Sequence, residues 1–307
     1  MQSVHHAQPA IEALRQRFRA QRPLRSGSLL MTIFGDAIAP RGGRITLGSL
    51  IRLAEPFGLA ERLVRTAVAR LAADNWLIAT RTGRRSEYRL TATGRAVFAE
   101  ATARLYAPSP HKWDGSWTLL ALKPARGAGG ELRRALRWLG FGQIAPGLYA
   151  HPALTCTQVR AALALRGWTD PGWLFESRGE NPRADRDCVQ FAWNLETLAR
   201  RYRKLHDTFA PIDAAGRLQA IPPQSAFLVR TLLIHEYRRI HLRDPLLPPA
   251  LLPEKWIGAE AYQMCTRLYN GVFHAAEAHL DACGSTLTGP LPPPGPEIQA
   301  RFGGLNR

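Results

Sequence analysis

The sequence predicts an α+β protein in which a winged helix-turn-helix, a ferredoxin-like domain and a helical domain follow one another. Three observations predict it. Helix-spaced apolar residues lead into two short extended runs before residue 106. The pattern between 111 and 190 reads β-α-β-β-α-β, and beyond 191 the chain returns to long helix-spaced runs. The boundaries that follow are a flexible basic arm over 1–22, the winged helix over 23–106, the ferredoxin-like domain over 111–190, a helical effector or dimerisation domain over 191–283 and a Pro/Gly-rich, loose tail over 284–307.

The arm carries Arg15, Arg17, Arg19 and Arg22 with little apolar content. After it, Leu29, Leu30, Ile33 and Phe34 recur at helical spacing, and Pro40-Arg41-Gly42-Gly43 reads as a turn. Arg44-Ile45 suits a short strand. Thr46 caps a second helix that runs to Glu55, and Pro56-Phe57-Gly58 breaks it. A third helix spans Ala60 to Asp74. Leu77–Thr80 and Glu87–Leu90 then read as hairpin strands, and Thr91 caps a helix that Pro108 and Pro110 end.

On a wheel of about 100° per residue, the third helix places Ala60, Leu63, Val64, Ala67, Val68 and Leu71 on one arc. Arg62, Arg65, Thr66, Ala69 and Arg70 lie on or beside the opposite arc. Long arginines reach base edges or phosphates, and the short Ala69 lets the helix approach closely, which suits a groove about 12 Å wide. The hairpin tip adds Arg81, Arg84 and Arg85 beside Gly83. A basic helix followed at once by a basic hairpin predicts double-stranded DNA as partner, with the helix in the major groove and the wing on the backbone or minor groove. Alone, such a helix is equally an amphipathic surface helix; the order of elements favours DNA.

Charge supports this reading. The formal net charge is +17, but only four of the 41 basic residues are lysines, so arginine is raised everywhere and position matters more than total. Residues 1–106 hold 17 of the 41 basic and 7 of the 24 acidic residues, which concentrates the excess there. Cys156, Cys188, Cys265 and Cys283 are widely spaced and make no metal or disulfide framework, so no metal site is expected. With no apolar signal region and no run of about 18 apolar residues, the expectation is a cytoplasmic protein without membrane contact.

In the central domain, Trp117–Leu122 and Trp173–Glu176 read as outer strands of the pattern, and Gly142–Ala145 and Leu148–His151 as its inner pair joined at Pro146-Gly147. Helices are expected at Gly130–Leu139 and Gln158–Leu165, and then at Trp193–Phe209, Gln224–His241 and Gly258–Cys283. The helix Gln224–His241 carries Arg230, His235, Arg238 and Arg239 among leucines and isoleucines. Guanidinium forks suit phosphates, so these four are the candidate ligand-binding residues. A core helix with an ion-paired basic side accounts for them equally.

Three stretches carry a resemblance: "SLLMTIFGDAIAPRGGRI", "WLGFGQIAPGLYAHP" and "AFLVRTLLIHEYRRIHLRDPLLPPALLPEKWIGAEAY". Together they resemble the PaaX family, the repressors of bacterial phenylacetate catabolism, over about residues 25–275. The one departure is Ile257-Gly258, where Pro-Gly is expected after the tryptophan. The resemblance implies that the central domain is similar to Cas2 proteins. It also implies a homodimeric repressor that leaves its DNA operator on sensing phenylacetyl-CoA, with no other cofactor.

Catalytic readings fare poorly. Cas2-type nucleases hold a metal with an Asp at the end of the first strand, and here that strand ends Ala121-Leu122-Lys123-Pro124. "HEYRR" from His235 partly matches HExxH, but Arg239 stands where the second histidine belongs. Gly140-Phe141-Gly142 follows a helix rather than a strand, which argues against a dinucleotide loop. No catalytic residues are expected. The competing classes are an enzyme acting on CoA thioesters or nucleic acid, and a DNA-binding protein that does not switch.

Overall fold

The computed structural model describes residues 4–107, 112–123 and 129–305. Pro108, Pro110 and Pro124, read above as chain breaks or strand ends, lie outside the described residues. In chain order the helices are α1 (Val4–Arg19), α2 (Ser26–Ile33), α3 (Leu47–Ala54), α4 (Glu61–Ala73), α5 (Ala92–Tyr106), α6 (Gly129–Trp138), α7 (Cys156–Ala164), α8 (Pro182–Ala192), α9 (Leu195–Ala214), α10 (Pro223–His241) and α11 (Ile257–Cys283). The strands are β1 (Arg44–Thr46), β2 (Leu77–Thr82), β3 (Arg85–Leu90), β4 (Ser116–Leu122), β5 (Gly142–Ala145), β6 (Leu148–His151), β7 (Gly172–Arg178), β8 (Ser285–Thr286) and β9 (Gly289–Pro290).

The chain forms two units: Met1–Ala107 with Lys204–Arg238 and Ala261–Arg307, and Pro108–Arg203 with Arg239–Glu260. The helical block expected as a separate domain over 191–283 is therefore shared between the two. The first unit contains the winged helix. β1, β3 and β2 form an antiparallel sheet in that order beside α2, α3 and α4. Thr46 caps α3 through the Ser49 amide and Thr91 caps α5 through Gly94, as their types and positions dictate.

The start of the chain departs from expectation. Residues 4–19 are not a flexible arm but helix α1. Ala7, Ile11, Leu14 and Phe18 recur along one helical stripe and are buried, and the Phe18 ring meets Phe57 edge-on at 6.2 Å. Each large apolar side chain so buried contributes about 1.5–3 kcal/mol, enough to hold the helix down. Arg17 and Arg19 stay exposed on its outer side.

A buried ion network joins this start to the helical block. Beyond α2 the helix widens into a π-turn over Phe34–Ile38, which carries Asp36 inward. The Asp36 carboxylate accepts from Arg230 Nε of α10 (2.8 Å) and Arg301 Nη1 (2.8 Å). It also accepts from the hydroxyls of Tyr106 (2.6 Å) and Tyr269 (3.0 Å). Glu277 of α11 takes a second guanidinium contact from Arg230 and one from Arg41, which also reaches Asp281 at 2.8 Å. Burial acts to raise the Asp36 carboxyl, but Arg230 and Arg301 outweigh it and hold the group below the usual carboxylate value. Burial pushes the Tyr269 phenol up to about 12, so it stays a donor.

The tail is a second correction. Its Pro and Gly content reads as loose, yet β8 and β9 form a small hairpin and residues 296–303 wind through 3-10 turns. Leu291, Ile298, Arg301 and Phe302 are buried. The segment is tied to the winged helix: the Leu287 amide donates to Glu87 of β3 (2.8 Å) and Gly295 N to Pro40 O (2.7 Å), while the Ser285 and Ser49 hydroxyls lie 2.8 Å apart.

The second unit has the ferredoxin-like order β5-β6-β4-β7, antiparallel throughout. α6 and α7 cover one face with Leu132, Leu136, Val159 and Leu163 against Leu120 and Tyr149. On the other face Trp117 packs with Val189, Trp193, Leu247 and Leu251. Trp117 Nε1 donates to Asp185 (2.8 Å) and Trp193 Nε1 to the Gly140 carbonyl (3.0 Å), so both buried indoles are satisfied. Among the described residues no helix is long and apolar enough to cross a membrane.

The network yields a prediction. Asp36→Asn leaves two buried guanidiniums short of a counter-charge and should cost about 3–5 kcal/mol in urea unfolding at neutral pH. Because its folded value is depressed, Asp36 contributes stability above its unfolded value near 4, and that contribution is lost as pH falls through the folded one. The wild-type protein should therefore weaken more steeply below about pH 4 than the Asn variant, as unfolding at stepped acidic pH measures.

Candidate nucleic-acid interface

The candidate recognition face is built by α4. Val64, Ala67, Val68 and Leu71 are buried against the unit's core, which turns the opposite side outward. Arg62, Arg65, Thr66, Ala69 and Arg70 occupy that side, and all but Thr66 and Ala69 carry long basic side chains. The apolar arc is narrower than the wheel suggested: Ala60 is exposed and Leu63 is 39% exposed at the arc's edge. Arg65 is held along the helix by Glu61 four residues earlier (2.6 Å), and the Thr66 hydroxyl donates to the Arg62 carbonyl (2.9 Å). An exposed pair of this kind is weak, so Glu61 ties the Arg65 guanidinium down by little.

The wing is tighter than the sequence indicated. β2 and β3 pair as far as Thr82↔Arg85, leaving a loop of Gly83 and Arg84 alone. Gly83 has φ +59, a left-handed value that only glycine takes without strain at the head of a two-residue hairpin loop. Arg84 therefore stands at the tip. Register places Arg85 and Arg81 on opposite faces of the wing, since Arg85 faces Thr82 while Arg81 faces Ser86. All three arginines are exposed.

Two basic residues escaped the sequence reading. Arg44 of β1 is directly opposite Arg89 of β3. Like charges so placed repel, and an anion laid across them relieves that. The pairing register carries this signal, which no local stretch of sequence displays. Arg44 lies 3.9 Å from Glu87, a loose contact that leaves it 62% exposed.

The four candidate ligand residues do not gather into one open site. Arg230 is fully buried in the ion network just described. His235 is fully buried, with Nδ1 3.1 Å from the Thr32 hydroxyl and its ring edge-on to Phe18. Arg238 is partly exposed but donates to Thr32 Oγ1 (2.8 Å) and to the Ser28 carbonyl and hydroxyl (2.7 Å each). Arg239 is partly exposed. Three of the four thus hold α10 to α1, α2 or the π-turn, Arg230 through ion pairs and His235 and Arg238 through neutral groups. At the end of β4, Lys123 ion-pairs with Asp170, and no cluster of metal-ligating residues occurs among the described residues.

Family models described as PaaX-like protein, PaaX protein central Cas2-like domain and PaaX-like protein C-terminal domain match residues 25–94, 110–189 and 193–282. The transcriptional repressor PaaX of Escherichia coli (strain K12) is 38% identical over 293 residues, 92% of each chain. The uncharacterized protein Rv0674 from Mycobacterium tuberculosis, a solved structure, is similar with a TM-score of 0.52 and 21% identity. That likeness spans 75% of this chain and 89% of the other, and is one of fold.

The wing geometry sets a test. Phosphates carry no sequence, so Arg84→Ala and Arg85→Ala should weaken binding to specific and random duplex by similar factors. Removing one phosphate contact should flatten the slope of log affinity against log salt by about one, as read by fluorescence anisotropy across a salt series.

Proposed function

The chain belongs to the PaaX family, and on that premise we propose that it is a DNA-binding transcriptional repressor of an aromatic-acid catabolic operon. Its class is that of a regulator and not an enzyme. The observation that carries the proposal is the exposed basic face of α4 beside a basic wing whose tip is a two-residue glycine turn. In this reading α4 lies in the major groove. Arg62, Arg65 and Arg70 meet base edges and phosphates, Thr66 and Ala69 permit close approach, and Arg81, Arg84 and Arg85 meet backbone or minor groove. A two-fold homodimer sets two such helices about 34 Å apart on an inverted repeat.

The effector in this proposal is an aromatic acyl-CoA such as phenylacetyl-CoA. A free arylacetate offers one carboxylate, whereas the thioester offers several phosphate charges and an apolar end. Of the four basic residues on α10, Arg238 and Arg239 keep partial exposure and are the ones those phosphates would meet. Binding to a conformation that fits the operator less well lowers DNA affinity by linkage.

Two measurements test this. In mobility-shift assays on the operator, phenylacetyl-CoA should release the DNA and free phenylacetate should not; release by the free acid alone removes the thioester from the proposal. Arg62→Ala/Arg65→Ala should lose about 1–3 kcal/mol of operator affinity per base contact removed while keeping its fold by circular dichroism. Undiminished operator affinity in that protein sinks the assignment of α4.

A further inference from the structure

Phe302 occupies a cage of tyrosines. Its ring centroid lies 5.1 Å from that of Tyr106, 5.2 Å from Tyr269, 5.6 Å from Tyr262 and 6.1 Å from Tyr237. The first contact is edge-on, the arrangement aromatic quadrupoles favour. Tyr106, Tyr237 and Tyr269 are buried and belong to three different helices.

The occupant fits the space but not all of the chemistry. Phe302 is held at φ 51 and ψ 35, a left-handed conformation that a side chain larger than glycine adopts only under strain. The buried hydroxyl of Tyr262 finds no hydrogen-bond partner among the described residues, and neither does Oδ1 of Asn270. Asn270 otherwise serves the tail, its Nδ2 donating to the Gly304 carbonyl (3.3 Å). A phenylalanine side chain is a plain benzyl group and can satisfy neither atom, whereas an arylacetyl thioester carries, beyond the same benzyl group, a carbonyl able to accept from the Tyr262 hydroxyl.

We propose that this four-tyrosine cage is the binding site for the aryl ring of the effector, and that Phe302 is its resident occupant, displaced when the effector arrives. The proposal rests on the effector reading given above and locates its aromatic end. A benzyl group of an arylacetyl ester has the size and shape of the side chain it replaces, so the ring exchange leaves no void. Withdrawal of residues 296–303 also takes Arg301 from Asp36, where Arg230 remains as counter-charge. The same tail meets the wing strand β3 through Leu287–Glu87 and helix α3 through Ser285–Ser49. Exchange in the cage is thus tied, through one continuous segment, to the element that meets DNA.

Wild-type protein tests the idea directly, because the peptide bond after Arg301 is buried with the tail. Full-length protein is digested briefly with trypsin alone, with phenylacetyl-CoA, with phenylacetate and with CoA. Release of the peptide beginning at Phe302 is measured by mass spectrometry relative to cleavage at the exposed wing tip after Arg84. Phenylacetyl-CoA should raise that ratio about tenfold or more, in the range of ordinary allosteric coupling. An unchanged ratio at thioester concentrations that do release the operator overturns the cage and leaves the effector reading standing. If phenylacetyl-CoA does not release the operator, the effector reading fails instead, and the cage is decided by Phe302→Ala in the full chain. That variant should take up phenylacetate or toluene in titration calorimetry, with Phe302→Leu used if the alanine protein does not fold. No uptake by the folded variant overturns the cage.

Discussion

A single carboxylate governs how the first unit is assembled. Asp36 is buried where an ionised group needs charge compensation, and it receives two guanidiniums and two phenols. Those donors come from α10, the tail, α5 and α11, so one charge fixes four segments at once. A buried ion pair of this kind is weak evidence of stability, since hydrophobic residues of like volume often serve as well. What it confers is direction, because Asp36 has only one arrangement in which every donor is met. The π-turn belongs to the same constraint, since it places Asp36 inward just before Arg41 meets Glu277 and Asp281.

The elements that could be read from sequence are those whose signal is local. The strands Gly142–Ala145 and Leu148–His151, the capping threonines and the basic face of α4 all follow from period or from neighbouring residue types. The network could not be read that way: Arg230 lies 194 residues from Asp36, and nothing beside either residue marks the other. For the same reason the partners of Arg230, His235 and Arg238, namely Asp36, Thr32 and Ser28, are not marked by any neighbouring residue. α1 is a different case. Its stripe of Ala7, Ile11, Leu14 and Phe18 is present in the sequence, but the interleaved arginines lower the apolar content that would mark a packed helix. In the tail, Leu291, Ile298 and Phe302 are too irregularly spaced to reveal burial.

Gly140-Phe141-Gly142 shows how a motif-like string acquires another meaning. Gly140 has φ +95, and a Cβ on Gly142 would come within 2.5 Å of the Trp193 ring. These glycines let an indole lie flat on a strand and donate to the Gly140 carbonyl. Tryptophan packing therefore accounts for these two glycines.

The span between Asp36 and Arg301 bears on how this protein is made. Ribosomes deliver the amino-terminal segment first, and 265 residues separate Asp36 from the last of its guanidinium donors. Until Arg301 emerges, the nascent winged helix carries a carboxylate whose set of partners is incomplete, and long-range closure of this kind is slow. Regulatory competence is thus coupled to completion of synthesis. A chain interrupted by a premature stop before Arg301 leaves the ribosome with its amino-terminal unit poorly secured and open to proteolysis.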